Sequence, residues 1–537
     1  MKYDFTSIID RHGRDAIAVD GIGGYHWGTE PAAPREGFDA IPMWVADMNF
    51  PTVPTIPEAL AERAKHPLYG YFELTDEYFS SIIRWQERRN GVTGLKKEHI
   101  GYENGVLGCV VSALNVMCSK GDNVLLHSPT YVGFTGSLTN NGYHMVLSPL
   151  VRDENGVYRM DFEDMERRIV ENNIHAAVFC SPHNPTGRVW ERWEVERFME
   201  LMAKHDVYVV SDEIWSDIIL PGHKHVPTQS VSEDARNRTV AVYAPSKTFN
   251  LAGLVGSYHI IYNGWLRDRV LKESSLSHYN DANVMSMHAL IGAYKEEGYE
   301  WLGELLKVLD GNAGYACDYI GTHFKGVHVS RPQGTYMLFL DCTEWCAEHG
   351  KDIGELIRAG WDVGVAWQDG RAFNGPCHIR MNLALPLSRV QEAVERLDKY
   401  VFNAWRRQKR SAPGVFRAGF FIYISFSAGN RGEQPVTVCG KEDGRRGQEQ
   451  RQHFLRAVET EAEVFPQTAE AVEHGVAVGE KPLAGELDGV VAGEIGIHRE
   501  AQLCPMLGVI AAEGTDTRIY EVGAVGQVAE RHQAAKL

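Results

Sequence analysis

AAVFCSPHNPTGR, residues 176–188, is a short apolar run that stops at a turn built from two prolines and a glycine. The design repeats downstream. VYVVSDE from Val207 and TVAVYAPSK from Thr239 are β-branched runs that also close on polar residues, and NVLLHSP from Asn123 and GSYHIIYN from Gly256 flank them. Helical patterns separate the runs, which predicts an α/β fold with a mostly parallel sheet wrapped by helices. Open sheets of this class bind ligands outside the carboxyl ends of their strands. Asn184, Asp212 and Lys247 stand at or just after three such ends, so they are expected to face one crevice.

Outward from this core, residues 51–286 are expected to form the large domain and 287–405 a smaller α+β domain. ALIGAYKEEGYEWLGELLKVLDGNAGYACDYI from Ala289 reads as one extended helical region. Short strands follow in VHVSRPQ, TYMLFLDC and CHIRMNLAL, then a helix from Leu387 to about Trp405. Residues 1–50 read as an irregular arm packing with the smaller domain. After Trp405 the composition shifts: no tryptophan follows, and GKEDGRRGQEQRQ has little apolar periodicity. Residues 406–537 are therefore expected to be linker-like.

The net charge of -17 lacks the basic footprint of a nucleic-acid binder and favours small-molecule chemistry. The start, MKYDFTSIIDRHGRD, holds no apolar run of signal-peptide length, and Phe420–Phe426 is too short to span a bilayer. A cytoplasmic chain without membrane contact is the expectation. Nine dispersed cysteines read as reduced thiols. Cys342 and Cys346 stand one helical turn apart, but no second cysteine or histidine pair accompanies them, so no metal site is expected. His223 and His225 flank Lys224 in an expected loop and read as exposed.

The chemistry gathers around the strand ends. A lysine after a strand is ordinarily solvated. Enclosed, Lys247 would have the lowered pKa that imine formation needs. Asp212, before an expected helix, can cap that helix or pair with a protonated ring nitrogen. The Asn184 amide can donate to a ring hydroxyl oxygen. Val106 and Leu107, after Gly105, open a helix to about Met117 whose free amides suit a phosphate, and the Ser246 hydroxyl can join them. Tyr131 is a core aromatic or a stacking platform. Arg380, set between apolar residues, is costly to bury without an anion, and an amino acid's α-carboxylate supplies one. Together these groups fit pyridoxal 5′-phosphate with an amino-acid substrate.

SPHNPTGR, YVVSDEIW, APSKTFNLAG and HIRMNLALP, in this order, resemble fold-type I pyridoxal-phosphate enzymes of the class I/II aminotransferase superfamily. IPMWVADMNF at Ile41 and HPLYGYFE at His66 look like the bacterial cystathionine β-lyase (carbon–sulfur lyase) branch. The likeness runs from about residue 3 to 405. It implies the fold-type I transferase fold, with Lys247 carrying the cofactor, Asp212 at the ring nitrogen, Asn184 at the ring hydroxyl and Tyr131 stacking. It further implies Val106, Leu107 and Ser246 at the phosphate, Arg380 on the substrate carboxylate, and Val45 and Ala46 of the first motif as substrate contacts. Tyr71 would reach the phosphate from a second subunit of a homodimer. Two positions depart from the pattern. Trp215 replaces a tyrosine found in many aminotransferases, a phenol the lyase branch also tends to lack, and Asn49 stands where the lyases commonly have aspartate. The implied reaction is β-elimination of cystathionine or related S-substituted L-cysteines to a thiol (homocysteine), pyruvate and ammonia. Transamination of an L-amino acid is the alternative, and a regulatory protein retaining the fold a third reading.

Overall fold

The computed structural model describes residues 1–24, 28–276 and 280–403, and four strands between 420 and 512. Met1–Ser411 and Ala412–Leu537 are two compact units. The first contains a seven-stranded sheet of β1 (Ile100–Asn104), β2 (Asn123–Ser128), β3 (His144–Pro149), β4 (Ala176–Cys180), β5 (Tyr208–Asp212), β6 (Thr239–Tyr243) and β7 (Gly256–Ile260), ordered β1-β7-β6-β5-β4-β2-β3. β2 to β6 run parallel, whereas β7 is antiparallel to both β6 and β1. The sheet is mostly parallel, as the alternation predicts.

Both of its faces are covered, which is why its strands read as continuous apolar runs. In β4, Ala176, Val178 and Cys180 pack with Val110, Ala113 and Leu114 of α1 (Val106–Met117). The intervening Ala177 and Phe179 pack with Val195, Phe198 and Met202 of α2 (Arg192–Lys204). Phe179 stacks on Phe198 with ring centroids 4.3 Å apart, and burying such a side chain is worth about 2–3 kcal/mol. The register places Cys180 beside Asp212 and Asp212 beside Val242, so the carboxyl ends of β4, β5 and β6 are level.

The predicted single helical region from Ala289 is two helices, α3 (Val284–Ala293) and α4 (Glu296–His323). The Ala293 carbonyl crosses 1.9 Å from where a β-carbon on Gly298 would stand, so the chain breaks there and glycine makes room. β8 (His328–Val329), β9 (Met337–Asp341), β10 (Gln368–Asp369) and β11 (His378–Asn382) form an antiparallel sheet ordered β8-β9-β11-β10. α5 (Thr343–His349) follows β9. α6 (Leu387–Leu397) is shorter than predicted, because the chain continues as a π-helical turn, Asp398–Phe402. The N-terminal segment adheres through Ile41–Pro42, which pairs in parallel with Val365–Ala366, and through Lys2 N–H, donating to Glu304 at 2.8 Å.

In the second unit β12 (Phe420–Ile424), β13 (Pro435–Lys441), β14 (Val490–Gly496) and β15 (Gly508–Ala512) pair antiparallel in the order β14-β13-β12-β15. The rest of the expected linker-like extension, 406–537, lies outside the described residues. Among the described residues no helix is long and apolar enough to cross a membrane.

Candidate functional site

The ends of β4, β5 and β6, the start of α1 and the loop around Ala46 enclose a cavity of about 220 Å³. Lys247, Asp212, Asn184, Tyr131, Val106, Leu107, Ser246 and Ala46 all line it. Lys247 is half-buried in the turn after β6, its Nζ donating to the Ala46 carbonyl at 3.0 Å and lying 5.8 Å from the Trp215 ring centre. Burial, then the charge of Arg380, lowers its amine to about 8 against the opposing pull of Asp47 and Asp212. An amine so placed is partly neutral near physiological pH.

Asp212 ends β5, but the helix expected after it is a turn: Oδ1 accepts from Ile214 N at 3.0 Å, a local Asx arrangement that replaces helix capping. Its other oxygen has no hydrogen-bond partner among the described residues. Burial pushes the carboxyl up to about 7, opposed by the Ile214 N–H and by Lys247.

Arg380, at the centre of β11, is 3% exposed. It donates to Asn184 Oδ1 and to the Trp44 carbonyl, each at 3.0 Å, and to Gln368 Oε1, and lies over the Phe373 ring. No carboxylate pairs with it among the described residues. Burial accordingly lowers it to about 10. Because Asn184 gives its oxygen to Arg380, the amide nitrogen is the part left for a ligand. Tyr131 packs edge-on against Phe134. A β-carbon on Gly133 would meet the Tyr131 ring at 2.3 Å, so glycine there permits the ring's position. Gly105, at φ +81° and ψ 148°, turns the chain from β1 into α1 through backbone space that side chains rarely enter, and among the described residues no side chain caps that helix start.

Three expected residues do not line the cavity: Arg380, which meets it through Asn184, and Val45 and Tyr71, which stand apart. Val45 lines no part of the cavity and offers its carbonyl to Asn382 at 2.7 Å. Tyr71 is fully exposed and also lines no part of it.

Residues 41–397 match the model of the family Aminotransferase class I and II. The chain belongs to that family. It is 32% identical to cystathionine beta-lyase PatB of Bacillus subtilis over 362 residues, 67% of this chain and 92% of that one. It is similar in structure to a PLP-bound C-S lyase from Staphylococcus hominis, with a TM-score of 0.67, 29% identity and coverage of 75% of this chain and 98% of that one. Cystalysin from Treponema denticola, whose structure contains a pyridoxal 5′-phosphate cofactor, aligns with a TM-score of 0.68 and 29% identity, covering 75% of this chain and 100% of that one.

In this class I and II aminotransferase chain, sequence reading missed the groups that hold the loop at 45–49. Asn250 accepts from Met48 N and donates to its carbonyl, both at 3.0 Å. Asn382 donates to the carbonyls of Val45 and Asp47, and the Tyr336 hydroxyl shares the Ala46 carbonyl with Lys247. Arg11 pairs with Asp47 at 2.5 Å and donates to Asn49 Oδ1 at 2.9 Å, while the Asn49 amide nitrogen is buried without a partner among the described residues. Asn250 and Asn382 each lie a few residues beyond a chosen one, inside SKTFNLAG and HIRMNLAL, and that proximity was the available signal. Ser257 and Trp215 also line the cavity.

His225, expected to be exposed, is 5% exposed and donates from Nε2 to Glu213 Oε2 at 2.7 Å, while His223 is exposed. Glu213 also accepts from the Tyr243 hydroxyl at 2.6 Å and from Thr228 N and Ser211 Oγ, both at 3.0 Å. The His225 partner and these donors outweigh burial and hold its carboxyl below the usual range. A second buried group, Glu103, Cys109 and His259, is close enough to share a metal ion, but His259 Nδ1 and Glu103 Oε1 already bond at 2.5 Å.

Proposed function

We propose that this chain is a pyridoxal-phosphate-dependent carbon–sulfur lyase that expels the β-thiolate of cystathionine or a related S-substituted L-cysteine, yielding a thiol, pyruvate and ammonia. The observation that carries the reading is Arg380, buried without a carboxylate and sharing Asn184 with the cavity of Lys247. The remaining unmet groups fit the cofactor. The uncapped start of α1 and Ser246 would hold its phosphate, the free Asp212 oxygen its ring nitrogen, the Asn184 amide its ring hydroxyl and Tyr131 its ring face.

Bound pyridoxal phosphate supplies an electron sink that acidifies the α-hydrogen of an amino acid. Arg380 grips the α-carboxylate with its planar fork and so fixes which α-bond faces Lys247. Lys247 would hold the cofactor and, once free of it, would serve as the general base for the α-proton. Asp212, ionised, would pair with the ring nitrogen, and that partner would offset the burial that raises its pKa in the cofactor-free chain. The likeness to relatives named as lyases favours loss of the thiolate over return of the proton.

Incubation with cystathionine and no keto-acid acceptor should release thiol and pyruvate together. Amino-group transfer to an added acceptor without thiol release would show a transaminase instead. A purified chain lacking a visible imine band that borohydride bleaches would remove the cofactor and the enzyme with it.

A further inference from the structure

Three thiols converge away from the cavity, in the part of the chain that carries Arg380. Cys342 lies between β9 and α5, Cys346 one turn into α5, and Cys377 immediately before β11. Cys342 N donates to the Cys377 carbonyl at 2.8 Å and Cys346 N to the Cys342 carbonyl at 2.9 Å, which brings the three backbones together. These backbone bonds bring the Cys346 and Cys377 side chains close enough to act on each other, and Cys342 lies within electrostatic reach of both. All three are free thiols. They differ in access: Cys342 is 1% exposed, Cys346 7%, and Cys377 is half-buried.

A solvent-side thiol beside a buried one is the arrangement of an attacking and a resolving cysteine. Metal binding is the competing use of clustered sulfur. Among the described residues, however, the group tight enough to share an ion is Glu103, Cys109 and His259, not this trio. We propose that Cys346 and Cys377 are a reversible dithiol–disulfide pair, oxidised by low-molecular-weight disulfides.

The Cys377 thiolate attacks one sulfur of the small disulfide, forming a mixed disulfide and expelling one small thiol. Cys346 then attacks the Cys377 sulfur and expels the second. The protein loses two electrons and two protons, the small disulfide gains them, and two small thiols leave. Burial pushes the Cys346 thiol up to about 11, so it ionises rarely and acts second, faster as the pH rises. The new bond ties α5 to the head of the strand that bears Arg380. This inference is independent of the proposed reaction.

The full chain with its cofactor would be incubated with oxidised glutathione at mildly alkaline pH, quenched in acid, alkylated, digested and mapped by mass spectrometry. The expected product is a peptide pair joined through Cys346 and Cys377 and released by dithiothreitol. Cys342→Ser should leave that link intact. Cys346→Ser should strand glutathione on Cys377, and Cys377→Ser should leave Cys346 unmodified. An unreactive Cys377, a lasting mixed disulfide on it in the unaltered chain, or a bond made through Cys342 would each overturn the proposal.

Discussion

Lys247 donates to the Ala46 carbonyl in the chain as it stands, so its amine is held in place by the backbone rather than by an acid. Removing it should cost two functions at once. Lys247→Ala is expected to lower turnover by about 10³-fold or more, the scale of a lost general base. It should also abolish the borohydride-bleachable band while some cofactor still binds; steady-state rates and absorbance spectra check both. Asp212 carries a stability consequence of opposite character. Its folded pKa, about 7, lies above the 3.8 of an ordinary aspartate. Between these values the native cofactor-free chain holds a proton that the unfolded chain has lost, so stability falls as pH rises through the window and the loss is complete above it. Asp212→Asn should therefore stabilise the cofactor-free chain by about 2–4 kcal/mol at about pH 8 and hardly at all at about pH 4, while weakening cofactor binding. Denaturant titrations at the two pH values would show it. At this scale Lys247, Asp212, Asn184 and Arg380 were legible, because Lys247 and Arg380 are poor choices for their settings without a partner, and Asn184 and Asp212, ordinary singly, close successive apolar runs ahead of Lys247. Asn250, Asn382 and Tyr336 were not. Their targets are backbone carbonyls and amides of a loop up to 337 residues away in sequence, and beyond the closeness of Asn250 and Asn382 to Lys247 and Arg380 nothing local marks them.

Elements explain why the legible residues meet. Level ends of β4, β5 and β6 follow from a parallel register, and that register was foreshadowed by apolar runs closing on polar residues. The reversal of β7 was not foreshadowed, since a strand buried on both faces looks alike in either direction. Nor was the break between α3 and α4, where the apolar pattern continues and only the crowding at Gly298 reveals the turn. The network under β5 was hidden for a further reason: His225 sits in an irregular segment of mixed character, and only the fold brings Glu213 to it. Glu213→Ala would strand His225 Nε2, the Tyr243 hydroxyl and Thr228 N in the interior, while Ser211 keeps the Thr228 hydroxyl as a partner. It should cost about 3–5 kcal/mol, the usual penalty for breaking a buried charged group's contacts from one side. Urea unfolding of the holo chain measures it, and a loss under 1 kcal/mol would mean that water replaces the carboxylate.

At the scale of the molecule, Leu68, Tyr69 and Tyr71 form an exposed apolar stretch in the segment whose likeness to lyases implies a second subunit. If Tyr71 serves a neighbouring copy, the two defects lie in different chains of one site. Lys247→Ala and Tyr71→Ala preparations, each impaired alone, should then regain turnover when mixed under exchanging conditions, because some hybrids assemble one unaltered site. A mixture no better than the sum of its parts would place Tyr71 outside the site.

Trp215 gives the cavity a property beyond binding. Its indole is 2% exposed and lies 5.8 Å from the Lys247 amine. An absorbing ring lodged beside that amine would drain the indole's excited state, so the chain carries its own optical gauge of occupancy. Emission should dim on cofactor loading and recover on its removal, and Trp215→Phe should erase the largest single share of the change in a fluorescence titration.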